Sequence, residues 1–580
     1  MTINEDKKKI VYAIIILAIV LARFAISDRI GPLIFADATY DDQLMINSAM
    51  QLIKGNWLGQ DYNQFVLLKG CFGPLFVAGS YFLGITYLHA YTLIYIFSCL
   101  LFVYAIRPII KNYFSQVIAL CIIMFNPLSF GFTTYQRIYR NGFSQWQMLI
   151  LFASFFSIFY LRKFPIKKSI SWEIVAGLIV WAMLNTREDG IWVYVFIIAA
   201  TIATGIMLFI ENDRRNFVLR TVILLIPFFM VFAGNTAIRL INYDHYGVYV
   251  LNERAEGEFP GFMACLYNIK PDEKDEEKYS SDEYEGYYIN IYHSALEKAY
   301  DASPTLNSIK PEIEETIKSW SDSDGEVVMD HLLFAIRDAV KKAGYYEDGQ
   351  ATEEFYSVVA HELEEAFRNG TLEKRGIVLS GGCVPFNTEQ LPKLFKEIRN
   401  AYQCILSFDD VVVTSERLSG NEDNVVIFEN IIGYSVPRDG FGADKDNGWI
   451  YFAEDNKIKD YALNRANRCV NMYILIVKPL WIICHLTFVF FVIYDLLKKR
   501  TVNIEQVISV ASILLTMLLV VAMVSHITAT TFWATNSLYL NAAYILCLMF
   551  EAFCIGSVLD RFIVWLRGKY DSRVMSNNME

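Results

Sequence analysis

Charge is scarce in this chain. Charged residues make up 19% of its 580 positions and hydrophobic ones 54%, where soluble domains carry nearer a quarter charged. None of the ten cysteines stands in a Cys-x-x-Cys pair, and no His-Glu-x-x-His occurs, so the usual spacings of zinc sites are missing. No internal repeat is visible, which sets repeat architectures aside. No small-residue cleavage pattern follows the first apolar run, so that run is expected to remain in the chain. Basic residues are few in one long stretch: residues 243–466 hold 44 acidic and 22 basic side chains of the chain's 62 and 51. So acidic a segment excludes nucleic acid as its partner, because phosphate binding needs basic surface.

The apolar residues come instead in runs of membrane-spanning length. A buried soluble helix would show an apolar stripe rather than an unbroken run. Spans are expected at 10–27, 86–106, 114–131, 145–161, 171–186, 191–210, 218–238, 473–497, 503–524 and 538–560. The basic clusters Lys7-Lys8-Lys9, Arg162-Lys163 with Lys167-Lys168, Arg214-Arg215, Lys498-Lys499-Arg500 and the tail with Arg567, Lys569 and Arg573 are assigned to the cytoplasm. Residues 28–64, 132–143, 187–190, 239–472 and 525–537 are then outside. The apolar stretch 65–84 conflicts with this parity if it crosses, so it is expected to be re-entrant or interfacial unless a neighbouring segment fails to cross, giving ten or eleven spans.

Three parts follow: a membrane domain over 1–238 with an outer loop at 28–64, an acidic extracytoplasmic insert over 239–472, and C-terminal helices and tail over 473–580. Helical spacing over 329–367, punctuated by Gly344 and Gly349, makes the insert mainly helical. Short β-branched runs within 403–428, such as Asp410–Thr414, suggest a few strands, and 271–286 reads as a polar surface loop. Cys265, Cys383, Cys404 and Cys469 lie in or at the edge of the insert, where a disulfide can form in an oxidising space. His331, His361 and Glu362 read as solvated or packed.

The loop after the first span reads DDQLMINSAMQLIKGNW over 41–57, followed by LLKGCFGPLFVAGSYFLG over 67–84. An acidic pair, an apolar helix ending in Gly-Asn-Trp, then a lysine before a Gly/Pro turn and an apolar segment: over residues 37–84 this resembles the GT-C superfamily of integral-membrane glycosyltransferases, in its aminoarabinose-transferase and protein-mannosyltransferase branches. The resemblance implies a polytopic α-helical GT-C-like fold with an α+β extracytoplasmic insert. It also implies an inverting transfer of sugar from a polyprenyl-phosphate carrier to an envelope glycan, lipid or protein, in the cytoplasmic membrane. It nominates Asp41, with Asp42 as the alternative, as the base that takes the acceptor's proton, and Lys69 as a contact to the carrier phosphate. Relatives often carry an Asp in the next outer loop, where this chain has Asn141.

Each residue also has a plainer reading. An Asp before an apolar helix is the expected N-cap, and a lysine at the membrane edge commonly snorkels. Arg137 and Arg140 sit on the side that the positive-inside rule disfavours, which fits phosphate binding or an interfacial position among aromatics. Arg187-Glu188-Asp189 can neutralise one another, replace the missing carboxylate or hold a metal. A divalent metal would need Glu188, Asp189, Asp41 and Asp42 to converge. His526 and Trp533 suit a sugar-binding loop or an aromatic belt. The rival functions are a transporter or flippase of lipid-linked intermediates and a membrane-anchored binding or sensor protein.

Overall fold

The computed structural model describes residues 5–577 except 189, 191, 212–213, 280–288, 322–324, 330, 376–387, 409, 439–440, 447, 453–460 and 500–502. Asp189, Cys383, Arg500 and most of the second half of the 271–286 run therefore lie outside the described residues, as does the side chain of Cys469. The membrane part begins with α1 (Glu5–Ser27), α2 (Asp42–Ile53), α3 (Phe72–Phe82), α4 (Tyr87–Ala105) and α5 (Tyr113–Met124). It continues with α6 (Ser144–Leu161), α7 (Ile170–Leu184), α8 (Trp192–Ile210), α9 (Arg214–Ile223) and α10 (Ile226–Tyr246).

Among the described residues, eight helices are long and apolar enough to cross a bilayer, nine if the bent pair Tyr113–Met124 and Pro127–Gln136 is one span. This is the architecture of a polytopic helical membrane protein. The count falls below the ten or eleven expected, and the shortfall has a geometric cause. The 65–84 stretch becomes α3, whose eleven residues rise about 16 Å, against a hydrocarbon core of about 30 Å. The 171–186 stretch becomes α7, fifteen residues long and about 22 Å. It still returns the chain between the two ends of the bundle. Arg162, at the end of α6, pairs with Glu211 and Glu505 at one end (2.7 and 2.8 Å). Arg140, before α6, pairs with Glu188 just after α7 at the other (2.6 Å).

The bend between α5 and residue 127 is written in the sequence as Asn126-Pro127. Proline lacks the N–H a helix needs and pushes its predecessor out of the helical region, and Asn126 is extended, accepting from Ser129 N with its side chain. The helices meet at 58°. Arg23, wholly buried in α1, holds the far side: its guanidinium donates to Ser129 O at 2.8 Å and lies 3.6 Å from the Phe130 ring centre. A tight turn then returns the chain, and only glycine fits at 142, where a Cβ would stand 2.0 Å from Thr134 O. Arg137, Tyr139 and Arg140 are carried on this turn.

Residues 239–472 divide between two hydrophobic cores. The helices α11 (Phe259–Asn268), α12 (Glu273–Tyr279), α13 (His293–Ala302), α14 (Pro304–Asn307), α15 (Lys310–Ile317), α16 (Leu332–Lys342) and α17 (Gly349–Arg368) form a bundle. Its core includes Tyr40, Tyr62, Leu67 and Leu68 from the stretch around α2. The helices α18 (Leu391–Ser407) and α19 (Glu422–Ile432) instead share the core of the membrane helices. The strands β1 (Leu33–Phe35), β2 (Arg417–Asn421), β3 (Phe441–Asp444) and β4 (Trp449–Phe452) form one sheet in the order β1-β2-β4-β3, with β1 parallel to β2. The expected strand at Asp410–Thr414 is not one. Val412 O accepts from Phe132 N and Val413 bonds the Asn467 side chain, so this β-branched run packs on helix ends. Cys265 and Cys404 are not in disulfides. The helices α20 (Tyr461–Tyr494), α21 (Ile504–Thr530) and α22 (Ser537–Asn577) close the bundle.

The ends of the bundle can be told apart by labelling. Lys163 lies at the Arg162 end, and Glu347 lies on the surface of the insert helices, reached from the opposite end of α10. Lys163→Cys and Glu347→Cys should react with a membrane-impermeant maleimide under opposite conditions, one in intact cells and the other only after permeabilisation. Parallel labelling of both would contradict the arrangement.

Candidate functional site

Asp41 and Asp42 stand where α2 begins, and neither serves as a helix cap. Asp41 occupies the N-cap position without a side-chain cap bond. Its Oδ1 accepts from Lys69 Nζ at 2.5 Å and from the Tyr139 hydroxyl at 2.9 Å, while Arg137 lies 3.6 Å from Oδ2. Asp42 is fully buried and gripped by Arg137, with Nε 3.0 and 3.1 Å and Nη2 2.5 Å from its oxygens. The adjacent carboxylates thus face different partners: Asp41 keeps 43% of its side chain exposed, Asp42 none.

Lys69 does not snorkel. Its side chain is 9% exposed and lies between Asp41 and the turn that carries Arg137 and Tyr139, 3.4 Å from the Tyr139 hydroxyl. Gly70 makes this possible. Its N–H donates to Glu188 Oε1 at 2.9 Å, and a Cβ there would stand 2.2 Å from Asn185 O. The 69–72 turn therefore lies flat against the end of α7.

Within the triplet 187–189, Glu188 finds its cation elsewhere. Glu188 turns to Arg140, whose Nη1 also donates to Thr186 O at 3.1 Å. Arg187 lies 5.6 Å from the Tyr539 ring centre, and Asp189 is outside the described residues. The Arg137 and Arg140 guanidiniums lie over Tyr139, at 4.5 and 5.9 Å from its ring centre. Asn141 is buried and bonds the start of α22: its side chain donates to Leu538 O and its carbonyl accepts from Asn541.

Burial and pairing oppose each other through the cluster. Burial alone would raise Asp41, but Lys69, helped by Arg137 and Tyr139, outweighs it and holds the carboxyl well below the usual carboxylate range. Burial pushes Asp42 up to about 6 against the pull of Arg137, so it is still ionised at neutral pH. Burial, with Arg140 beside it, brings Lys69 down to about 8 despite Asp41 and Glu188. Glu188 is lowered to about 2, Arg140 outweighing its burial and Arg254 adding to the effect. Arg254 reaches the cluster from the insert; nothing local in the sequence marks it, because its neighbour in space is a residue 66 positions earlier.

Beside the cluster an open cavity lies between α6, α7, α8, α21 and α22. Met183, Val193, Val520 and Ile527 form apolar wall, and Thr186, Arg187, Gln147 and Asn541 are among its polar groups. Thr186 joins cavity to cluster, since its carbonyl accepts from Arg140 and its hydroxyl from Gln147. Of residues 525–537, Ile527 and Ala534 line the cavity, joined by Tyr539 of α22, while His526 and Trp533 do not, and Trp533 is 61% exposed.

A divalent metal does not fit among Asp41, Asp42 and Glu188, because each carboxylate already faces its own cation. Among the described residues, three metal-type ligands come within reach of one another at His293, Glu297 and Glu314 on the insert, and Lys310 already stands 2.7 Å from Glu297. The chain matches no protein-family model, no curated protein and no solved structure.

The two aspartates should separate by stability. Removing one partner of a buried ion pair leaves the other uncompensated, at a cost of about 3–5 kcal/mol. Asp42→Ala and Arg137→Ala should therefore lower the thermal midpoint of the purified protein clearly. Asp41→Asn, half in solvent, should lower it far less. Equal losses for Asp41→Asn and Asp42→Ala would remove the division of roles.

Proposed function

We propose that this chain is a membrane glycosyltransferase of the GT-C type. It moves a sugar from a polyprenyl-phosphate carrier to an acceptor hydroxyl on an envelope glycan, lipid or protein, at the outer face of the cytoplasmic membrane. One observation carries the reading: a half-exposed carboxylate, Asp41, stands among Lys69, Arg137 and Arg140, and this cluster joins an apolar cavity between membrane helices through Thr186. A lipid phosphate needs both halves of that arrangement, with the isoprenoid chain among apolar side chains and the phosphate among cations.

In the inverting step the acceptor oxygen attacks the anomeric carbon from the face opposite the carrier. The bond from that carbon to the phosphate oxygen breaks, and its electron pair leaves on the phosphate. Asp41 takes the acceptor's proton. At rest Asp41 is a poor base, because Lys69 holds it ionised and low. A carrier phosphate competes for the same ammonium, and in a water-poor site that exchange is strong. As Lys69 turns to the phosphate, Asp41 loses its closest cation and its basicity rises. The pair is thus a resting lock that the donor substrate opens, and the leaving group gains a positive partner in the same movement.

The transporter reading has one observation of its own. Glu551, in α22, is fully buried, and neither of its carboxylate oxygens has a hydrogen-bond partner among the described residues. Ionisable groups inside spans often mark proton or ion pathways. Glu551 lines neither the cavity nor the cluster, so Glu551→Gln should leave sugar transfer intact. Loss of lipid translocation with transfer absent throughout would favour the transporter.

Two measurements test the enzyme. Asp41→Asn should cut turnover by roughly 10²–10⁴-fold with carrier binding retained; wild-type turnover would discard the base. Carrier affinity of the wild type, measured by native mass spectrometry, should fall as pH rises through about 8, where Lys69 gives up its proton. Lys69→Arg should bind the carrier without that alkaline fall, since arginine keeps its charge. An alkaline fall that persists in Lys69→Arg would place the phosphate elsewhere.

A further inference from the structure

Inside the insert, far along the sequence from the aspartate pair, lies a second buried ion pair. Arg337 of α16 and Glu253 stand 2.5 Å apart with side chains 0% and 1% exposed. Two such charges are costly to bury, and replacing a pair of this kind with packed apolar residues is often neutral or stabilising. Apart from a long bond of 3.5 Å that Glu253 accepts from the Tyr346 hydroxyl within the insert, the pair's hydrogen bonds point toward the loop that follows α2. Arg337 donates twice to Gln64 O, at 2.9 and 2.6 Å. Glu253 accepts from the Tyr62 hydroxyl, and its own N–H donates to Leu67 O at 2.8 Å. Next along α16, Asp338 accepts from the Tyr40 hydroxyl and from Gln64. Residues 62–67 are thus held by both members of the pair, and the chain leaves this grip two residues before Lys69.

We propose that Arg337 and Glu253 are positioning residues for Lys69, holding residues 62–67 against the insert so that the lysine is delivered, desolvated, onto Asp41. The insert is then a working part of the cluster. The same short segment that grips the loop also carries Arg254, which bears on Glu188. The importance of Lys69 as a phosphate contact rests on the function proposed above, but its placement does not.

The charged and titratable groups that face Lys69 are Asp41 and Asp42 from the start of α2, Arg137, Tyr139 and Arg140 from the turn before α6, and Glu188 from the end of α7. None of them belongs to the insert. A change made at Arg337 or Glu253 can therefore reach Lys69 through the position of the 62–67 loop and the burial it imposes, without removing any of these partners. Burial is the largest influence lowering Lys69 to about 8 from the ordinary 10.5. If the grip is released, the ammonium gains water and moves back toward the ordinary value.

The experiment uses the full chain in nanodiscs, with lysines reductively methylated with ¹³C and Lys69 assigned by its absence in Lys69→Arg. Its methyl resonance is followed against pH. The wild type should titrate near 8. The double variant Arg337→Met with Glu253→Leu removes the pair together and avoids an orphaned charge, while losing the side-chain hold on Tyr62 and Gln64. There Lys69 should titrate at least one pH unit higher, with the thermal midpoint close to wild type. Arg337→Lys keeps the charge opposite Glu253 but cannot fork onto Gln64 O, and should give an intermediate shift. A Lys69 titration unmoved in both variants, or an ordinary lysine value already in the wild type, overturns the proposal. Carrier binding is read separately with undecaprenyl phosphate. A shifted Lys69 with no carrier binding even by the wild type would leave the positioning role standing and remove the glycosyltransferase.

Discussion

The Asp42–Arg137 pair is the constraint on which this end of the molecule depends. It joins the first turn of α2 to the turn that follows the Asn126-Pro127 break, two segments 95 residues apart. A fully buried carboxylate stays ionised only if a cation meets it squarely, so this contact leaves little freedom on either side. With Asp42 holding Arg137 at the shorter distance, Asp41 keeps only a longer contact to that arginine and takes its close partners from Tyr139 and Lys69. Arg140, three residues along the same turn, is brought to the end of α7. The three cation–carboxylate contacts are consequences of one turn being fixed in place.

What this arrangement can do follows from its balance of charge. The three carboxylates Asp41, Asp42 and Glu188 are each matched by a cation, and Arg187 and Arg254 lie close by. A cluster of this composition tolerates one further anion by exchanging partners instead of creating an unpaired charge, and exchange is cheaper than fresh desolvation in a low-dielectric setting. The apolar cavity behind Thr186 supplies what a soluble anion would not use. An anion tethered to a long apolar chain uses both, which is why the proposed donor is a lipid phosphate.

The insert supports this end of the molecule from the side. Its bundle of α11–α17 takes Tyr62, Leu67 and Leu68 into its own core, while α18 and α19 pack with the membrane helices. A loop that would otherwise be exposed on both sides is thereby enclosed, and that enclosure is what lowers the Lys69 ammonium.

By itself the sequence determined the helical membrane character, through apolar runs that no soluble fold could bury, and the polar ends of those runs, through the placement of basic clusters. It also singled out Asp41, Asp42, Lys69, Arg137, Arg140 and Glu188, because charges are rare beside apolar walls and each one there requires a partner or a task. Pairing was beyond it: Glu188 looked matched to Arg187 by adjacency, yet it meets Arg140, since side chains in an extended triplet diverge and a facing turn offers a closer cation. The cap reading of the aspartates failed for the same reason, a distant arginine and lysine outbidding the local backbone. The length of α3 and α7, the split of residues 239–472 between two cores, and the roles of Arg254, Arg337 and Glu253 were decided by tertiary packing alone. These depend on which surfaces meet across hundreds of residues, and local periodicity carries no record of that.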